Sequence, residues 1–320
     1  MRKRRLIGAG IASMGLLMCL STPSSGFLED LFAPRPPKDS STETRPSPKQ
    51  KQDQPDLMEG LGGLFGAEKK DIDLLKKGLG VIQALQPIGE EEELALGQAV
   101  AVEAFSRFGG EYHNASLTRY VNLVGQTIAE VSDRPNLAYH FAILNSEEQN
   151  AFAAPGGYIF VTIGLLKTLK NEAELAGVLA HEIAHVTQKH MLETIRRSAL
   201  LSNVSELTLT VLNKDPQMFS NLIDEIADKL FTKGLDKEKE FEADEYGVEF
   251  AYRAGYNPRG LRDYLVTLQS QEGRARSRFF STHPNTSERI AKLDGLLRNY
   301  PDGDALPLLA ERFARYLRSV

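Results

Sequence analysis

Three histidines and a glutamate fall within ten residues, HEIAHVTQKH, from His181 to His190. On a helix, His181 and His185 lie four apart on one face and can both reach a single metal ion. Glu182 sits beside that face with its carboxylate free to act on a water held by the metal. His190, five residues past His185, falls roughly 140° around a helix of 3.6 residues per turn, so it is expected to point elsewhere and to be structural. Ile183, Ala184 and Val186 imply a buried setting, where imidazoles need partners. That argues against a solvated helix that merely contains histidine.

A catalytic zinc needs a third protein ligand and an open fourth position. The three-histidine class requires Gly three residues after His185 and His six after it, but Gln188 and Met191 stand there, which excludes that class. A better candidate lies in EFEADEYG, where Glu240 and Asp244 are again four apart on an expected helix. Glu240 is the expected third ligand. Asp244, one turn on, could accept the N–H of a ligating histidine and fix its tautomer. Glu242 points too far from Glu240 to be the better ligand. Taken alone, this stretch would read as a charged helix face, and only H-E-x-x-H makes the metal role the stronger reading.

HEIAH, then E-x-x-A-D-x-x-G, then THPNTSER (Thr282 to Arg289) resemble the HtpX-like and BepA-like zinc metallopeptidases of peptidase family M48, over roughly residues 88–297. NAFAAPGGYIFVTIGLL, Asn150 to Leu166, is similar to that family's active-site strand and the start of the next helix. The resemblance implies an α+β, mainly helical, zincin-like domain with a small β-sheet and an active-site helix carrying HExxH. It implies a gluzincin endopeptidase with one Zn2+ per subunit on His181, His185 and Glu240. Glu182 would be the general base, later returning its proton to the departing amine. Asn150, Ala151, Phe152 and Ala153 would form an edge strand that binds extended substrate through its backbone, the plainer alternative being a core strand and turn. His283 would approach the metal, either blocking its fourth position or stabilising an oxyanion. The plainer role for His283 is capping the helix after Pro284. Arg289 would either contact substrate or hold the loop.

Several elements must position these residues. Leu94, Leu96, Ala99, Val100, Val102 and Phe105 recur at near-helical spacing from Glu90, and a second helix is expected from Ser116 to about Val131. The runs 139–144 and 158–162 read as strands, with Pro155-Gly156-Gly157 supplying a turn between them. Asn171 and Glu174 form a capping pair for a helix expected to run through the histidines to about Arg197. Further helices are expected at about 203–213, 217–232, 237–254, from Asn257-Pro258 to 271, at 286–298 and at 305–318. Leu207, Leu209, Val211, Leu212, Phe219, Leu222, Ile223 and Ile226 make an apolar stripe that reads first as core. The alternatives are a cover over the site or a surface for a membrane or another protomer.

The chain has 320 residues, 42% of them hydrophobic, enough for one large core or two modest ones. A net charge of -5 leaves no broad basic surface, so no nucleic-acid partner is expected. Residues 1–26 have the order of a secretory signal peptide: basic Arg2 to Arg5, apolar Leu6 to Leu20, then small residues. The apolar run is shorter than the roughly 20 residues a span needs. Cleavage before Phe27 is therefore expected, with a retained anchor or lipidation at Cys19 as alternatives and only a weak case for twin-arginine export. Residues 27–56 are a Pro/Ser/Lys-rich stretch expected to be a disordered linker. An N-terminal helical extension at 57–87, the metallopeptidase domain at 88–300 and a C-terminal helix at 301–320 complete the expected organisation. Cys19 is the only cysteine, so a cleaved chain forms no disulfide and any metal takes nitrogen and oxygen ligands.

Neither the membrane spans nor the helical-repeat tail of other branches of the family is expected here, and the expected type is the short, exported, single-domain one. The expected function is hydrolysis of unfolded or misassembled cell-envelope proteins in the periplasm, with outer-membrane association as a further expectation. The competing expectations are a chaperone or assembly factor that keeps the zinc site, and a structural zinc protein.

Overall fold

The computed structural model describes residues 88–201, 216–270, 279–318 and 320. The expectations for 1–26, 27–56 and 57–87, the helix at about 203–213, and Leu207, Leu209, Val211 and Leu212 lie outside them. Among the described residues no helix is long and apolar enough to cross a membrane.

Three short strands, β1 (His140–Leu144), β2 (Ala151–Ala154) and β3 (Tyr158–Thr162), form one sheet in the order β1-β3-β2. β3 runs parallel to β1 and antiparallel to β2, with Phe141 opposite Ile159 and Phe152 opposite Phe160. Every residue of β3 is buried because helices cover both sheet faces. Strand residues alternate between those faces. Phe141, Ile143, Ala151, Ala153, Ile159 and Val161 enter the larger core, while Leu144, Phe152, Ala154, Tyr158 and Phe160 enter a smaller one. Each such buried aromatic or branched side chain stabilises the fold by roughly 1.5–3 kcal/mol.

The smaller core is closed by α1 (Glu90–Arg107), whose Leu96, Val100, Ala101 and Ala104 face inward. The larger core holds α2 (Ala115–Ala129), whose Asn114 side chain accepts from Leu117 N, and the fully buried α4 (Glu172–Thr187). Between β3 and α4, a single turn, α3 (Ile163–Leu166), is capped by Thr162. The expected Asn171–Glu174 pair is present: Asn171 Oδ1 accepts from Glu174 N across 2.9 Å. Glu174 Oε2 in turn accepts from Lys170 N across 2.8 Å.

The helix expected to continue to Arg197 instead ends at Thr187, and α5 (His190–Leu201) begins after a break. Lys189 there adopts φ 56°, a left-handed conformation that redirects the chain. Later helices follow the expected order with shifted ends. They are α6 (Pro216–Asp228) with a π-turn at Lys229–Lys233, α7 (Lys237–Arg253), α8 (Gly260–Ser270), the single turn α9 (Phe279–Thr282), α10 (Thr286–Leu296) and α11 (Ala310–Leu317). The last starts later than expected because Pro307 and the left-handed Leu309 precede it. Of the apolar stripe, Ile223 and Ile226 are buried in the smaller core, with Phe219 and Leu222 packed against it.

The packing of α7 on α4 matters most for the site. A Cβ on Gly247 would lie 3.0 Å from His181 N and 3.1 Å from its Cα, so a larger residue there would push α7 a few tenths of an ångström off the histidine turn. At the β2–β3 turn Gly156 has φ 73°, and its N–H donates to Glu93 Oε1 across 3.1 Å. Arg134 grips the same carboxylate at 2.8 and 3.1 Å and donates to Val186 O near the end of α4. One partly buried ion pair therefore joins α1, the strand turn and the histidine helix.

Candidate metal centre

The C-terminal half of α4 carries His181 and His185 on one face, and the first turn of α7 brings Glu240 to them. His181 Nε2 and His185 Nε2 are 3.1 Å apart, and each lies 3.5 Å from an oxygen of Glu240. His283, just beyond α9, completes the group: its Nδ1 is 2.9 Å from Glu240 Oε2 and 3.3 Å from His181 Nε2. All four side chains are buried, and their donor atoms lie within 4.8 Å of one another.

The partners on the far side of each ring decide what converges. His181 Nδ1 lies 3.0 Å from Asp244 Oδ1, where its N–H donates to the carboxylate. His185 Nδ1 is 2.8 Å from His190 Nδ1. His283 Nε2–H donates to the carbonyl oxygen of Ala151 across 3.2 Å. In the tautomers that direct those protons outward, lone pairs of three imidazoles and a carboxylate face a common point. Such a set repels itself without a cation, and its separations match the edge of about 3.3 Å expected for a tetrahedron with zinc bonds of about 2.0–2.1 Å. The residues present fit a zinc ion.

Around this group the charges are arranged to keep carboxylates ionised. Arg289, fully buried, donates Nε–H and an Nη2–H to the two oxygens of Asp244, at 2.8 and 2.6 Å, and sets Nη1 3.0 Å from Glu240. Burial presses the Glu240 carboxyl upward, but His283 and then Arg289 outweigh it and hold it well below the usual range. For Asp244 burial is likewise outweighed, chiefly by Arg289, and the carboxyl stays low. Burial pushes His185 far down, which favours a neutral imidazole. Glu182 goes the other way: burial raises its carboxyl. Neither of its oxygens has a hydrogen-bond partner, and His283 Nε2 lies 3.6 Å from Oε1.

A cleft opens beside Glu182, lined by the edge strand at Phe152 and Ala153, by His185, Glu240 and His283, and by Val186, Met191, Leu192, Leu230 and Leu235. β2 is the sheet's edge on this side, and Ala151 to Ala154 are buried. Asn150, also buried, sits at the head of β2, where Thr282 Oγ1–H donates to its Oδ1 across 3.1 Å.

The expectation for His190 changes on this geometry, and the alternatives for His283 and Arg289 narrow. His190 does not point away: the break at Lys189 folds the chain back so that its ring meets His185. No signal in the sequence reveals this, because Lys189 is neither Gly nor Pro and the helical pattern runs through it. His283 does not cap α10, whose N-cap is Asn285 without a side-chain hydrogen bond. Arg289 faces inward onto Asp244 and Glu240 with no exposed surface, which favours the anchoring role over substrate contact.

The family model described as Peptidase family M48 matches residues 115–297. The chain is 33% identical over 184 residues to the beta-barrel assembly-enhancing protease of Escherichia coli K12, covering 55% of this chain and 38% of that protein. It is 30% identical over 208 residues to the mitochondrial metalloendopeptidase OMA1 of Schizosaccharomyces pombe, covering 63% of this chain and 60% of the other. With the metalloprotease YcaL of Escherichia coli K12 it shares 26% identity over 150 residues, 47% of this chain and 59% of that protein. The chain thus spans less than two thirds of each of these relatives.

Proposed function

We infer the function from one premise: the chain belongs to peptidase family M48. The reading the site supports best is a zinc-dependent endopeptidase with the ion held by His181, His185 and Glu240. The observation that carries it is the Glu182 carboxylate, buried and without a hydrogen-bond partner beside converging donors that could hold a metal ion. A zinc ion bound there supplies Lewis acidity, which acidifies water and polarises a peptide carbonyl. Glu182, its carboxyl raised by burial, takes the proton of the attacking water and delivers it to the departing amine. Asp244 keeps His181 in its ligating tautomer, and Arg289 holds Asp244 and Glu240 in place.

Asn150, Ala151, Phe152 and Ala153 receive an extended substrate as an added strand, which explains tolerance of many sequences because the backbone makes the contacts. The apolar wall of Val186, Met191, Leu192 and Leu230 takes one substrate side chain. His283 occupies the fourth donor position and engages Ala151 O, so the arrangement is a latent one and substrate entry displaces the ring. From the similarity to a protease named for β-barrel assembly, and from the leader-like residues 1–26, we propose unfolded or misassembled envelope proteins as substrates on the exported side of the cell. Outer-membrane association and lipidation at Cys19 belong to the same proposal.

A second reading, a chaperone that keeps the zinc site and rarely cuts, draws on the same placement of His283. The two separate in one experiment: digestion of an unfolded protein by the zinc-loaded full chain and by Glu182→Gln. The endopeptidase reading expects cleavage by the parent, loss of about 10²–10⁴-fold in the variant, and equal zinc content. Absence of cleavage by both, with aggregation suppressed by both, would favour the chaperone.

A further inference from the structure

His190 is the one imidazole of the cluster that the proposed reaction leaves without a task. It is 1% exposed and it contacts His185 on the side away from the metal group. Its second nitrogen, Nε2, lies 3.3 Å from Glu242 Oε2. Glu242 is an acceptor only, so the N–H of His190 sits on Nε2 and its Nδ1 carries a lone pair. That lone pair faces His185 Nδ1 at 2.8 Å, where it can only accept. His185 must then hold its own proton on Nδ1, which leaves His185 Nε2 unprotonated and directed at Glu240 and His181.

The backbone fixes His190 in this place. Lys239 Nζ donates to His190 O across 2.8 Å and to Thr194 Oγ1 across 3.2 Å, and pairs with Glu193 at 3.3 Å. Lys239 and Glu242 both stand on α7, the helix that delivers Glu240. The helix that brings the carboxylate ligand therefore also grips the residue behind a histidine ligand, so the two halves of the site are positioned together.

We propose that His190 is a positioning residue for the metal: it accepts the Nδ1–H of His185, and Glu242 orients it, so that His185 presents Nε2 to the ion in one tautomer and one ring orientation. The inference rests on the reading of His185 as a zinc ligand. It parallels the role of Asp244 behind His181, but with a neutral acceptor in place of a carboxylate. Outer partners of this kind typically change metal affinity by about 10–100-fold when removed.

The test is zinc affinity of the full chain, measured by competition with a chromophoric chelator, for the parent, His190→Phe and His190→Asn, each checked for native far-UV circular dichroism. Phe keeps the ring's bulk and removes the acceptor. Asn loses bulk but returns an acceptor oxygen near the position of Nδ1. The expected result is zinc binding weakened about 10–100-fold in His190→Phe and restored to within about threefold of the parent in His190→Asn. Unchanged affinity in His190→Phe, or equal loss in both variants, would overturn the proposal, since packing alone would then account for His190. Should His190→Phe fail to fold, Glu242→Ala decides: weaker zinc binding supports the relay, and unchanged binding overturns it. A parent that binds no zinc would instead remove the metal reading itself, so the two failures are distinguishable.

Discussion

The carbonyl oxygen of Ala151 and the ring of His283 are joined by a 3.2 Å hydrogen bond, so an atom of the edge strand is engaged by the residue that also fills the fourth donor position. On the proposed reading, substrate added along β2 would compete with His283 for Ala151 O and so open that position. His283→Ala is expected to raise the rate of cleavage of an unfolded protein several-fold and to weaken zinc binding. Assays of both on one preparation check this, and a variant slower than the parent would assign His283 to catalysis instead.

Metal removal should loosen the fold as well as stop the reaction, because the donors join α4, α7 and the segment after α9. At free zinc about 100-fold above the dissociation constant, linkage contributes about 2.7 kcal/mol. Thermal unfolding with zinc and with chelator measures the difference. An unchanged midpoint would mean that the ion does not bind the native state selectively.

Arg289 is a buried cation between two buried carboxylates, at 2.6 Å from Asp244 and 3.0 Å from Glu240. Arg289→Met leaves both acids without it and should cost about 3–5 kcal/mol in urea unfolding. Arg289→Lys should rescue little, because a single ammonium cannot reproduce the two-pronged contact with Asp244.

At the other end of α4, Glu172 is buried and accepts from Tyr120 Oη at 2.7 Å, from Tyr256 Oη at 3.0 Å and from Arg312 of α11. This network and Phe313 dock the last helix on the domain. Glu172→Ala should cost several kcal/mol by stranding these donors, whereas Arg312→Ala, half exposed, should cost roughly 1–3 kcal/mol. Both are read from urea midpoints. Equal small effects would show that α11 adds little to stability.

His140 at the start of β1 is held below its ordinary pKa by burial. The unfolded chain then takes up a proton at a higher pH than the folded one, so stability is lost as pH falls through the unfolded value of about 6.5 toward the folded one. His140→Gln should flatten the stability profile across that acidic window and leave it unchanged at pH 8, measured on chelator-treated protein. A profile identical to the parent's would remove His140 from the acid response.

Much of the site is written locally. Four-residue spacing on a helix dictates that His181 and His185 share a face, and the same spacing links Glu240 to Asp244, because a helix turns 3.6 residues at a time whatever surrounds it. The strands around Pro155-Gly156-Gly157 and the Asn171 cap are likewise local consequences of backbone preference. What only the tertiary structure decided is where separate elements meet. Gly247 admits α7 against His181, Arg289 turns inward because two buried acids need a cation, and His283 reaches Ala151 across more than a hundred residues of chain. His190 shows the limit most plainly. A single left-handed residue, Lys189, stops the helix and swings that ring onto His185, and the cost of that backbone conformation is met by contacts with α7 that no spacing within the histidine stretch encodes.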